Sequence, residues 1–237
     1  MPFLENPIFC ALDTTDVDQA VAWARQVKPH VGGVKIGMEF FYAHGRPGYE
    51  AVAAEGAPIF LDLKLHDIPN TVAGGLRALM TLDPVPFLVN VHTAGGPEMM
   101  RVAAEAVGGR SKLIGVTVLT SLNDSDIHAV GFDQAQGTDG HVVSMSKLTQ
   151  DCGLDGVVCS PRDIESVKAA TSEDFLTIVP GIRPAQSDVA DQKRIATPGA
   201  AVQAGADVIV VGRAITKSAD PAAAATAVFA EVEAARG

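Results

Sequence analysis

Short apolar, β-branched runs recur along the chain. Each is closed off by Gly, Pro, Asp or Asn, and stretches with helical spacing separate them. The pattern predicts eight strands: Ile8–Leu12, Gly33–Gly37, Ile59–Leu65, Phe87–Val91, Leu113–Val118, Gly156–Cys159, Thr177–Val179 and Val208–Val211. Helices are predicted between them over Val17–Val27, Pro47–Glu55, Thr71–Leu82, Pro97–Val107, Val142–Cys152, Asp163–Ala170 and Pro198–Ala204, with Pro221–Ala235 at the end. "DTTD" supplies capping side chains ahead of the first helix. Pro198, after Thr197, stands at a first helical position. The alanine-rich last segment suits a helix.

Strands alternating with helices imply a parallel sheet. Eight such units in 237 residues fit an α/β fold of the (β/α)8 TIM-barrel type, one domain over residues 1–237. An open doubly wound sheet is the alternative, weakened because no G-x-G-x-x-G loop follows the first strand. No linker or low-complexity stretch divides the chain.

Composition narrows the function classes. Hydrophobic residues make up 47% and charged residues 19%, enough for a sizeable core. No run of about 18 apolar residues appears, so no membrane span or membrane partner is expected. The first ten residues carry Glu5 and no basic residue, unlike a secretory signal, and the expected location is cytoplasmic. Cys10, Cys152 and Cys159 form no C-x-x-C pair and have no His at metal spacing, so buried reduced thiols are expected rather than a disulfide framework or zinc site. The formal net charge of −10 makes nucleic acid an unexpected partner. An anionic small substrate stays open, because local Lys and Arg can bind it within a cleft.

The candidate chemistry gathers where strands end, which is where a barrel of this type keeps its active site. Asp13 ends the first strand and Lys35 lies on the second. Asp62 and Lys64 lie on the third, with Asp67 just beyond. Asn90 and His92 end the fourth, the fifth runs into Thr117, Thr120 and Ser121, and Ser160 ends the sixth. Strand alternation places Asp62 and Lys64 on one face, toward the barrel mouth, with Leu61, Leu63 and Leu65 packing outward. A structural ion pair would explain an isolated D-x-K. Burying four ionisable groups close together is costly unless they pair, and chains rarely carry that cost without function. Loops after strands seven and eight often bind phosphate: "PGIRP" with "DQKR", and "VGR" with Gly212 and Arg213, supply close backbone approach and a bidentate cation.

Taken together, "ALDTTD", "VKIGMEFFYAHG", "FLDLKLHDIPNT", "NVHTAGG", "GVTVLTS", "PGIRP" with "DQKR", and "AGADVIVVGRAIT" resemble the orotidine 5'-phosphate decarboxylase family over nearly the whole chain. The resemblance implies a homodimer, free of cofactor and metal, that converts orotidine 5'-monophosphate to UMP. It implies Lys64 as proton donor within a charge tetrad of Lys35, Asp62, Lys64 and Asp67. Asp67 and Thr71 would reach the neighbouring subunit's site. Asp13, Lys35 and Thr71 match ribose contacts, and Thr120 a pyrimidine contact. Arg183, Gln192, Gly212 and Arg213 match the phosphate side, Gln192 bridging phosphate and base.

Three other readings stay open on sequence. A Mg²⁺-dependent phosphosugar enzyme of the same barrel type, such as a ketogulonate-phosphate decarboxylase or hexulose-phosphate synthase, shares D-x-K-x-x-D and would use a carboxylate such as Glu39. A silent phosphate-ligand binder would have no need of Lys64. A flavin-dependent pyrimidine enzyme would be yellow. His92 reads as structural or a subunit contact, Trp23 as packing, and Met99 and Met100 as core or interface. The role of His66 is unassigned.

Overall fold

The computed structural model describes residues 4–184 and 196–236. Its eight strands pair in parallel and in sequence order, and the last closes on the first. They are β1 (Ile8–Ala11), β2 (Gly33–Gly37), β3 (Ile59–Leu65), β4 (Leu88–His92), β5 (Lys112–Val116), β6 (Gly156–Val158), β7 (Leu176–Val179) and β8 (Val208–Val211). The helices are α1 (Val17–Val27), α2 (Met38–Ala53), α3 (Pro69–Leu79), α4 (Gly96–Val107), α5 (Asp124–Ala129), α6 (Thr138–Asp151), α7 (Ile164–Ala170), α8 (Pro198–Gln203), α9 (Arg213–Thr216) and α10 (Pro221–Arg236). The (β/α)8 barrel expected from the alternation is the fold observed.

Alternation along each strand divides the apolar residues into two layers. Phe9, Ala11, Phe60, Leu88, Ile114, Leu176, Ile178, Val208 and Val210 fill the barrel interior. Ile8, Cys10, Val34, Leu61, Leu63 and Val89 belong to the outer layer, packed with helix residues such as Ala24, Leu76, Met99 and Met100. Gly33 keeps the interior close-packed, since a Cβ there would lie 2.4 Å from the Phe9 ring. Two residues beyond the inner Ala11, Phe60 and Leu88 the same face turns polar, at Asp13, Asp62 and Asn90, whereas Val116 and Ile178 keep it apolar on β5 and β7. Lys35 pairs with Ala11 and with Phe60, and Gly37 with Asp62. The strand period thus lifts Lys35, Asp62 and Asn90 from the packed interior toward the C-terminal rim.

Several boundaries differ from the sequence reading. The predicted helix Pro47–Glu55 is the second half of α2, which starts at Met38 and breaks at Gly45 (φ 56°, ψ −143°). Pro47 sits just past that break, where a missing N–H removes no bond from the helix interior. Helix α3 starts at Pro69 rather than Thr71. Helix α5 was not anticipated. Asn123 caps it and Asp126 answers in a capping box, with Asp in place of the more usual Glu or Gln. His92 lies within β4, and β5 ends at Val116. Among the described residues, no helix is long and apolar enough to cross a membrane.

Candidate active site

Lys64 and Asp62 hold the centre. Lys64 Nζ lies 2.6 Å from Asp62 Oδ1. Lys35 Nζ lies 3.5 Å from Asp62 Oδ2 and 3.4 Å from Asp13 Oδ1. One carboxylate therefore stands between two ammoniums, and the outer ammonium also meets a second, exposed carboxylate. Burial alone would push the Asp62 carboxyl up. The Lys35 and Lys64 charges, with hydrogen bonds from Lys64 and Asn90, outweigh it and hold Asp62 below the usual carboxylate range. Asp62 is ionised at neutral pH.

The shared face of Asp62 and Lys64 is present, although plain strand alternation does not account for it. The β3–β4 ladder runs through Phe60–Leu88 and Leu61–Val89, then resumes only at Leu65–Val91. Within that gap Lys64 has φ 51°, a left-handed conformation that L-residues with a Cβ rarely adopt. The outward packing of Leu61, Leu63 and Leu65 is as read from the pattern.

Two recesses meet at this charged group. One, of about 180 Å³, is lined by Lys35, Asp62, Lys64 and Thr120, with Phe60, Val116, Val118, Val158, Ile178, Pro180 and Val210 as an apolar wall. The other, also about 180 Å³, adds Asp13, Gly37 and Glu39. Lys35, Asp62 and Lys64 belong to both. Gly37 matters here and was not singled out in the sequence. Its inward position carries no side chain, and a Cβ would lie 3.3 Å from Lys35 Nζ. A roomier cavity of about 620 Å³ opens at the opposite end of the barrel, around Tyr49, Pro84, Arg110 and Lys112. Its cations are engaged with backbone carbonyls and with Asp155, so it offers no comparable chemistry.

The remaining predicted residues fall into place unevenly. Thr120 borders the first recess. Gly212 stands beside Asp13, whose Oδ2 would lie 3.6 Å from a Cβ at position 212. Arg213 follows it, exposed at the start of α9. The Arg183 N–H donates to the Ala196 carbonyl at 3.0 Å, tying β7 to the segment ahead of α8. Gln192 lies outside the described residues. Asp67 is exposed and accepts from the Ile68 N–H at 2.6 Å. Among the described residues it makes no ion pair with Lys64 of its own chain. Thr71 is exposed on the first turn of α3. The tetrad within one chain is therefore a triad, with Asp67 outside it.

In the sequence Asn90 reads only as a strand-end residue. It is 2% exposed and bonds both members of the central pair: Oδ1 accepts from the Lys64 N–H and Nδ2 donates to Asp62, each at 2.7 Å. Its register could have flagged it, because it sits inward on β4 two residues above Leu88. His92 packs against His66, ring centroids 5.3 Å apart. Burial, with the nearby His66 and Lys64 charges, pushes His92 below the usual histidine range despite Asp62.

Among the described residues, no group of three or more His, Cys, Asp or Glu side chains is disposed to hold a metal. All three cysteines are buried and free.

Over nearly its whole length the chain is similar to known proteins of one family. The model of the Orotidine 5'-phosphate decarboxylase / HUMPS family matches residues 6–228. The chain is 47% identical over 232 residues to an orotidine 5'-phosphate decarboxylase of Novosphingobium aromaticivorans, covering 96% of this chain and 99% of that one. It is 47% identical over 237 residues to one of Rhodospirillum rubrum, covering 96% and 94%. A crystal structure of orotidine 5'-phosphate decarboxylase from Lactobacillus acidophilus superimposes with a TM-score of 0.84 at 36% identity, over 96% of this chain and 99% of that one.

Proposed function

Because the chain belongs to the Orotidine 5'-phosphate decarboxylase / HUMPS family, we propose that it converts orotidine 5'-monophosphate to UMP and CO₂ in pyrimidine biosynthesis. The observation that carries this reading is the Lys64 ammonium, held 2.6 Å from a buried carboxylate in a recess with one charged side and one apolar side.

The chemistry demands such a group. Breaking the C6–carboxylate bond leaves its electron pair in an sp² orbital at C6, with no carbonyl positioned to accept it. A preorganised cation beside C6 stabilises that charge directly, and more strongly in a water-poor recess than in solvent. Lys64 Nζ is the cation. It then gives one proton to C6, completing UMP, and regains a proton from solvent. The cycle needs no redox partner and, in this reading, no cofactor.

Asp62 has two roles here. It holds Lys64 in place, and its ionised carboxylate faces the substrate carboxylate, which repulsion helps to expel. Charge development at C6 remains the principal source of the rate, because the ammonium interacts more strongly with the carbanion than with the ground state. Lys35 keeps Asp62 ionised and, with Asp13, faces the ribose hydroxyls. Thr120 meets the pyrimidine. Arg183, Gln192, Gly212 and Arg213 bind the phosphate, and that remote binding energy serves the chemical step by closing the site against water.

We read the working unit as a homodimer in which Asp67 and Thr71 complete the partner's site. Asp67 is exposed and turned into its own loop, so it can serve a second chain without breaking an existing ion pair. The three buried free thiols suit a reducing compartment such as the cytoplasm.

A second reading has one observation in its favour. Glu39 lines the recess that holds Asp13 and Asp62, as a carboxylate would in a Mg²⁺-dependent enediolate enzyme of the same family. Incubation with orotidine 5'-monophosphate in EDTA separates the two. Undiminished UMP formation supports decarboxylation as described, whereas the alternative, acting on a phosphosugar through an enediolate, predicts no UMP with or without Mg²⁺.

A further inference from the structure

We propose that Asn90 is a positioning residue for the proton-donating lysine: its side-chain amide clamps the left-handed Lys64 backbone and fastens Asp62 beside the ammonium. The inference rests on the reading of Lys64 as donor and extends it to the group that aims it.

Among the described residues Lys64 is the one non-glycine with φ in the left-handed region. Nothing in a lysine favours that conformation, so something outside it must hold it there. The β3–β4 ladder advances four residues on β3, from Leu61 to Leu65, but only two on β4, from Val89 to Val91. Lys64 lies in the surplus. Its N–H donates to a side chain on the neighbouring strand, Asn90 Oδ1, at 2.7 Å.

The other end of that amide makes the arrangement specific. Asn90 Nδ2 donates to Asp62 Oδ1 at 2.7 Å, the oxygen that also receives Lys64 Nζ at 2.6 Å. The contacts close a ring: Lys64 backbone to Asn90, Asn90 to Asp62, Asp62 back to the Lys64 ammonium. Both ends dictate the orientation of the amide, because one must accept from an N–H and the other must donate to a carboxylate. Asn90 is 2% exposed, so water cannot replace either bond. Aspartate lacks the donor, leucine lacks both groups, and serine is too short to span them. The titratable groups around Asp62 are Lys64, Lys35 with Asp13 behind it, and His92. None of them supplies an acceptor to the Lys64 N–H.

Two variants separate the bonds. Asn90→Ala removes both. Asn90→Asp keeps shape and acceptor but replaces the donor with a second carboxylate facing Asp62. In Asn90→Ala, kcat should fall by about 10²-fold through misplacement of the reacting group. KM and UMP affinity should change far less, and exchange of the Lys64 amide with D₂O should quicken at least tenfold. In Asn90→Asp, that exchange should stay slow, while kcat falls and the acid limb of its pH profile moves to higher pH as Asp62 loses a donor and gains a like charge. If Asn90→Ala fails to fold, the isosteric variant still decides by its kcat and its acid limb. A parent that turns over orotidine 5'-monophosphate beside variants within threefold of its kcat would overturn the inference. So would unchanged Lys64 exchange in folded Asn90→Ala. A parent with no turnover would instead sink the functional reading, and amide exchange would still show whether Asn90 holds Lys64.

Discussion

Lys64 Nζ and Asp62 Oδ1 stand 2.6 Å apart, although their residues are separated by a single position on one strand. Cα atoms two apart on a regular strand are about 6.6 Å distant and their side chains run side by side. Here the left-handed turn at Lys64 departs from that regular path, in the stretch where the ladder to β4 lapses. The lysine side chain lies folded against the carboxylate that balances its charge. The consequence is an ammonium of defined position, which is what protonation at one carbon requires.

The first expected outcome concerns that ammonium. Lys64→Ala should yield a folded barrel that still binds UMP, with turnover reduced by roughly 10³-fold or more because both carbanion stabilisation and proton donation are lost. Calorimetric titration with UMP and a spectrophotometric turnover assay check it together. Near-parental turnover would remove Lys64 as donor.

Asp62 gives a pH dependence of defined sign. Its folded-state pKa is depressed, so its contribution to stability is fully present above the unfolded value of about 3.9 and is lost as pH falls through the folded value. Asp62→Asn, which leaves Lys35 and Lys64 without their shared anion, should therefore be less stable than the parent at pH 7. The gap should narrow as pH is lowered below about 4. Urea midpoints at pH 7 and pH 3 measure it, and a gap that stays constant between them would contradict the assignment.

Much of this was legible in the sequence, for definite reasons. Strands such as Ile59–Leu65 and Val208–Val211 are short apolar runs between breakers, and the period of two correctly placed Leu61 and Leu63 outside and Asp62 inside. The first half of α2 was missed because Gly45 and Pro47 look like a helix start, whereas the helix breaks there and continues. The left-handed Lys64 could not be read, because lysine carries no signal for that conformation and its anchor, Asn90, lies 26 residues away. Asp67 fits the motif in sequence, yet a single chain leaves it outside the charge group. In the proposed dimer it would serve the partner's site.

That arrangement can be tested by exchange. Lys64→Ala and Asp67→Ala chains, each inactive as homodimers, should regain activity when mixed and allowed to reassort. Random pairing of a two-fold dimer leaves about a quarter of all sites intact. Recovery toward that level in the reassorted mixture is expected once heterodimer formation is verified, and none would count against a shared site.

Gly37 should prove sensitive to a single methyl. Its backbone is extended (φ −93°, ψ −179°), so alanine fits without strain, and the atom it crowds is the movable end of Lys35. Gly37→Ala should fold with a near-parental melting temperature and lose roughly tenfold in kcat/KM by displacing Lys35 from Asp62 and Asp13. Unchanged kcat/KM would show that Lys35 need not lie where it does.

The most direct measurement is turnover of orotidine 5'-monophosphate by the purified protein in D₂O containing EDTA, with the product examined by NMR. The account predicts UMP and CO₂ in equal amounts, one deuterium at C6 of UMP, and a rate unaffected by the chelator. Intact orotidine 5'-monophosphate after prolonged incubation, or conversion that stops with EDTA and resumes with Mg²⁺, would contradict it.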